Sequence, residues 1–473
     1  MKRALGRPSA VIAVAIIAIS AALKVNASLM PLAAPPAPPP VPTPNAWDDL
    51  QGVGEGLRCD FRNLDGRIVR VGQWNAINDT AFNPDRGLLT GRFINRYGPP
   101  VAYTSAQIGE IVRSNAHPLR LLARALRERY YVPPVSDFTR STRPSFEDQI
   151  ATLLALKYHV QIVRRDWPGA LQTALDCLQL GTQTTQGAGL GWATYGPDCE
   201  QIGRYMLYPL LPHLSAAQAR AAALRMAADE QKEASLSQIL AVEEAQTQRC
   251  LITAYHAPRW PIDFLAQADG YDGPTMEDAH WTTLLAQRLQ ISAVSPRAAY
   301  DRYTAYMDAL RRWADLPWPR SREMSVPAPP DDAINRRLIV FGMNNRLTSE
   351  IILPLEGTRM IWTAGEAANR LLEVRFALRA YKLDHGAYPA SLSALAPRYL
   401  PSVPLDPFSD DQPLRYRRAG GSYVLYSIGP DARDDGGRPI LGGCGSTGAS
   451  ETSKTPCVAD GSVGDIVAGV DDL

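Results

Sequence analysis

The side chains best suited to chemistry in this chain are six histidines, six cysteines and a few clustered acids. The histidines, His117, His159, His213, His256, His280 and His385, are scattered along the sequence. None lies in an H-E-x-x-H pair, which would set two imidazoles on one helix face for zinc, and no G-x-S-x-G elbow presents a nucleophilic serine. Glu243 and Glu244 are neighbours in a helical stretch, where adjacent side chains diverge, so paired-carboxylate catalysis is not indicated. Asp384-His385 has the residue types of a proton relay, but its place in the turn after an amphipathic helix assigns it a structural role.

The compartment is written at the N-terminus. Lys2, Arg3 and Arg7 precede an uncharged apolar run from Ala10 to Leu23, the pattern of an export signal. Val25-Asn26-Ala27 offers small residues to a signal peptidase, while the run approaches the roughly 17 residues of a minimal membrane span. Both a cleaved signal and a retained anchor facing the periplasm or cell exterior fit residues 1–27. Residues 28–46 form a proline-rich stalk. Its core, Pro31 to Pro44, would reach about 40 Å as polyproline II, or act as a loose tether.

Export makes disulfides the expectation for an even number of cysteines that includes no C-x-x-C redox or zinc pair. Cys444 and Cys457 bracket a loop rich in Gly, Ser and Thr, and closing it would contribute about 3 kcal/mol in the chain-entropy picture. Cys177 ends one predicted helix and Cys199 begins the next, so antiparallel packing would bring them together. That leaves Cys59 with Cys250. Other pairings, and buried thiols, remain open.

Composition bounds the rest. A chain of 473 residues with 45% hydrophobic content can build two or three cores. A net charge of +1 with 21% charged residues leaves no electrostatic footprint for nucleic acid. Residues 47–104 carry seven glycines between Gly52 and Gly91 and read as a loop-rich cover.

Residues 105–365 read as a helical domain. Apolar residues recur at helical spacing over Ser105 to Arg129, Phe146 to Arg164, Ala170 to Leu180, Cys199 to Leu211, Ala216 to Met226, Leu236 to Tyr255 and Pro296 to Trp313. The turn at Asp166-Trp167 resembles one tetratricopeptide hairpin, but no 34-residue period follows it. Ser215 is placed to cap the helix after it. The stripe of Tyr300, Tyr303, Tyr306, Met307, Leu310 and Trp313 reads as core.

Residues 366–473 complete an α+β chain: a mainly α-helical domain followed by a small α+β head with a short antiparallel sheet. An amphipathic helix carries Leu371, Leu372, Val374, Phe376, Ala377, Leu378 and Tyr381. It runs into Asp384-His385-Gly386-Ala387-Tyr388-Pro389, a short helix from Leu392 to Leu400, the turn Val403 to Phe408, and strand-like runs ending in Tyr426-Ser427-Ile428-Gly429-Pro430-Asp431. That order resembles the globular head of the type II secretion major pseudopilin. From about Asn115 onward, through Arg165-Asp166-Trp167-Pro168 and His213-Leu214-Ser215, the chain also resembles exported bacterial proteins that join an uncharacterised helical domain to such a head.

In the major pseudopilins a strand ending Ser-x-Gly-x-Asp, a glycine-rich loop and an Asp-Ile pair bind calcium. Ser427 to Asp431 and Gly464-Asp465-Ile466 match those two pieces. The resemblance therefore implies Asp431 and Asp465 as calcium ligands, with Asp434 and Asp435 helping to complete a shell of about six to eight oxygens. The segment from Leu441 to Val463, with its cysteines, is inserted between the pieces, so a disulfide could stabilise the loop instead. The pseudopilin leader, with Gly-Phe at its cleavage point and a glutamate five residues on, is missing, so assembly as a pilus subunit is not expected.

Two readings of function follow. One is a non-enzymatic extracytoplasmic envelope scaffold that binds envelope or secretion proteins and meets the membrane through its N-terminal segment. The other is an exported hydrolase with its cleft between the helical domain and the head.

Overall fold

The computed structural model describes residues 37–58, 61–62, 68–69, 105–134, 146–256, 296–327, 355–440, 458 and 461–470. The predicted signal or anchor, most of the loop-rich segment, His280, Cys59 and the Cys444–Cys457 loop lie outside them. No helix of the described residues is long and apolar enough to cross a membrane.

The first helix, α1 (Ala46–Gly56), falls where a loop-rich cover is expected. Asn45 starts it by accepting from the Trp47 amide, and Ala46, Trp47, Leu50 and Val53 are buried. Gly54 has a packing reason: a Cβ there would meet the Phe146 ring at 1.9 Å. A short antiparallel pair, β1 (Phe61–Arg62) and β2 (Ile68–Val69), follows. The next two helices, α2 (Ser105–Ser114) and α3 (Ala116–Ala125), are separated at Asn115. The buried Asn115 side chain accepts from the Arg58 amide at 2.9 Å and donates to the Arg58 carbonyl at 2.7 Å, tying the exit of α1 to this break.

The helical layer continues with α4 (Glu147–Val163), α5 (Trp167–Thr184), the short α6 (Leu190–Ala193) and α7 (Tyr195–Leu207), which leads into a 3₁₀ turn at Tyr208–His213. Asp166 caps α5 by accepting from the Gly169 amide at 3.0 Å. Next come α8 (Ala216–Glu230), opened by a reciprocal Ser215/Gln218 capping box, and α9 (Leu236–His256). Then follow α10 (Pro296–Ala314) and α11 (Trp318–Arg322). Helices α4, α5 and α7 pack side by side, α8 lies on α5, and α9 pairs with α10. The aromatic stripe of α10 is buried, at 7% exposure or less for each residue from Tyr300 to Trp313 that it contains.

The 31-residue α12 (Leu355–His385) runs unbroken across position 366, where the head is expected to begin. It packs on α8 and α7 and carries on into the head, so its Leu371, Leu372, Phe376 and Leu378 belong to the same apolar core as Leu178, Ile202 and Ala222. After a 3₁₀ turn at Leu392–Leu395, β3 (Arg415–Ala419), β4 (Ser422–Ser427) and β5 (Ile466–Val467) form an antiparallel sheet with β4 in the centre. The chain is thus mainly helical with one small three-stranded sheet, an α+β fold.

Candidate functional site

The head places its aspartates in two loops beside β4. Asp465 is fully buried; its carboxylate accepts from the amides of Gly437 at 2.7 Å, Arg438 at 3.2 Å and Asp435 at 3.3 Å. Burial pushes this carboxyl above its usual range and those amides oppose the push. Asp431 accepts from the amides of Arg433 and Gly464, at 3.1 and 3.3 Å. Asp434 accepts from the Tyr426 hydroxyl and the Gly436 amide and pairs with Arg415 at 3.2 Å. Asp435 contributes its amide and is exposed.

As placed, the described aspartates do not gather into one shell. Asp431 and Asp465 accept from backbone N–H groups, Asp434 accepts from Tyr426 and Gly436 and pairs with Arg415, and among the described residues no three His, Cys, Asp or Glu side chains converge to hold a metal. Gly429 and Gly464 have a packing role. Gly429 has φ +73°, and a Cβ there would lie 2.4 Å from the Gly464 carbonyl oxygen, so the two loops touch backbone to backbone.

Asp406 does for the turn before β3 what Asp465 does for the last loop, and sequence reasoning passed it over. It is 2% exposed and accepts from the Ser427 hydroxyl at 2.6 Å and from the amides of Ile428 at 2.8 Å and Phe408 at 3.1 Å. The available signal was its place inside Leu405-Asp406-Pro407-Phe408, an Asx-type turn sequence.

Cys177 and Cys199 are neighbours on α5 and α7, as antiparallel packing requires, but they form no disulfide. The Cys177 thiol donates to the Cys199 carbonyl at 3.3 Å. The close fit of α5 on α7 sets this geometry: a Cβ on Gly203 would meet the Leu178 backbone at 2.8 Å, so the helices interlock through backbone. Burial pushes the Cys177 thiol far above its ordinary range, which makes it inert. Cys250 is also buried, and the expected partner Cys59 lies outside the described residues.

Among the described residues, the histidines do not gather. His213 stacks on Trp167 at 4.0 Å, His159 shares a hydrogen bond with Ser105 at 3.3 Å, and His385 meets the Tyr399 hydroxyl at 3.2 Å. That hydroxyl also donates to Asp384 at 2.7 Å, so Asp384 and His385 anchor a buried tyrosine. Glu243 accepts from the Leu190 amide at the start of α6, whereas Glu244 takes Gln248 and Arg311.

Two other features remain. One is a shallow groove of about 140 Å³ between α2 and α4, lined by Ser105, Ala106, Gly109, Val160 and Val163, with Arg113 and Arg164 at its rim. Val163 is 58% exposed, and neither arginine side chain has a hydrogen-bond or ion-pair partner among the described residues. A separate small core of Ile108, Ile111, Leu153 and Leu156 packs these two helices together.

The second is a charged layer where α12 crosses α7 and α8. Arg204 donates to Asn369 at 2.8 Å, Asn369 donates to Glu200 at 2.7 Å, and Thr182 donates to the other Glu200 oxygen at 3.3 Å. Beside them Arg370 holds Glu230 at 2.6 Å and Glu366 at 2.5 Å and donates to the Leu405 carbonyl at 2.8 Å. No family model, curated protein or solved structure matches the chain.

Proposed function

We propose that the chain is a non-enzymatic extracytoplasmic scaffold that binds another protein on its helical layer, in association with a type II secretion-like apparatus. The observation carrying this reading is the groove between α2 and α4. Its floor is apolar, its rim holds two unpaired guanidiniums, and it is too shallow to desolvate a small substrate. Such a surface suits a partner segment that presents an apolar side chain beside a carboxylate.

The head fits the same reading through its order of elements. A long helix, a 3₁₀ turn and an antiparallel sheet closed by a glycine-bearing loop are what a pseudopilin-like head would contain. The hydrolase alternative needs a cleft between the helical layer and the head, and that boundary is packed. Trp318 meets Phe408 edge to face at 5.1 Å and donates to the Pro430 carbonyl at 2.9 Å.

A photo-crosslinking residue at Val163 in intact cells tests the reading. Adducts to envelope or secretion proteins that vanish when Arg113 and Arg164 are both changed to Glu are the expected result. Adducts unaffected by that change, or none at all, would overturn it.

A further inference from the structure

The layer between α12 and the helical array holds more acid than base. Glu200 and Arg204 come from α7, Glu230 from α8, Glu233 from the turn after it, and Glu366, Arg370 and Glu373 from α12. Two arginines therefore face five glutamates, and each already has its partners: Arg204 with Glu200 and Asn369, Arg370 with Glu230 and Glu366. The neighbouring charges do not make up the deficit. Arg359 is turned to the carbonyls of Trp313 and Leu316, Asp229 to Arg225 and Lys232, and Asp406 into its own turn.

Glu373 is the member left over. It is 3% exposed and, among the described residues, accepts no hydrogen bond and makes no ion pair. An unpaired buried carboxylate is far more stable with a proton on it than without. Glu233, half-buried at the edge of the layer and with its carboxylate lacking a hydrogen-bond or ion-pair partner among the described residues, feels the like charges of Glu200, Glu366 and Glu230 in addition to burial.

We propose that this layer is a proton-operated clamp: protons held by Glu373 and Glu233 let α12 seat against α7 and α8, and their loss as pH rises loosens the head-bearing helix from the array.

The direction follows from linkage. Burial and the nearby Glu230 raise the Glu373 carboxyl to about 8 in the folded chain, from an ordinary value of 4.5. Between those limits the folded state carries a proton that the unfolded state has lost, so stability is full at acid pH and falls as pH rises. Glu200 and Glu233 are raised in the same sense, each first by burial.

The test measures the thermal midpoint and the radius of gyration of the full chain from about pH 5 to about pH 8.5. The wild-type midpoint should fall, and the radius rise, as pH increases. The Glu233→Gln/Glu373→Gln double variant, which keeps the shape of the protonated acids, should show flatter profiles and a higher midpoint than wild type above about pH 8. A double variant that tracks the wild-type slope would overturn the clamp, as would a wild-type radius that does not change with pH. Arg370→Gln gives an independent reading, since it leaves Glu230 and Glu366 unpaired. Loosening should then begin at lower pH, and an unshifted onset would also count against the proposal.

Discussion

The head and the layer beneath it bury carboxylates in opposite ways. In the head, Asp406 and Asp465 each receive three hydrogen bonds, five of the six from backbone amides that the loops hold in place. In the layer, Glu373 receives none, and two arginines are shared among five glutamates. Fixed donors oppose the burial that raises Asp406 and Asp465, whereas Glu373 is buried without any such donor. The head's acids are staples for its loops, and the layer holds the carboxyl that burial raises to about 8, that of Glu373.

The strongest way to break this contrast is Asp406→Ala. It strands a hydroxyl and two amides in a buried site and should cost about 4 kcal/mol, read as a drop in the urea midpoint. A loss under about 1 kcal/mol would mean that water replaces the carboxylate and that the staple is not structural. Ser427→Ala removes one of the three donors and should cost about 1.5 kcal/mol by the same measurement.

Another carboxylate extends the comparison to the other end of the array. Glu147 opens α4, is 2% exposed, and leaves one oxygen without a partner; burial raises its carboxyl to about 7. Its folded value exceeds its ordinary 4.5, so its contribution is full at acid pH and is lost as pH rises toward 7. Glu147→Gln should therefore stabilise the protein at pH 8 by on the order of 1 kcal/mol and leave it unchanged at pH 4, as measured by urea unfolding at the two pH values. The smallest expected effect is that of calcium. Because Asp431, Asp434 and Asp465 face amides, calcium or a chelator should leave the thermal midpoint unmoved, and a rise with calcium would return those residues to the role their resemblance implies.

Local signals in the chain were reliable where the chemistry was local. Ser215 caps the helix that follows it, because a cap needs only residues three positions apart. The α10 aromatics are core because helical spacing puts them on one face. Helix α1 was hidden by its glycines, each a poor helix former, and forms because Trp47 and Leu50 are buried and Phe146 needs the space above Gly54. The adjacency of Cys177 and Cys199 was legible from two antiparallel helices; the bond between them was not, since that depends on Cβ geometry.

The sequence by itself therefore determined the helical periods, the Ser215 cap and the α+β order, all properties of short stretches of chain. Only the tertiary structure decided that Glu200 meets Asn369 across 169 residues, that Asp465 is filled by amides, and that α12 joins head and array in one core. The reason is physical: a carboxylate's neighbours fix whether it carries a charge, and those neighbours are chosen by packing between distant helices.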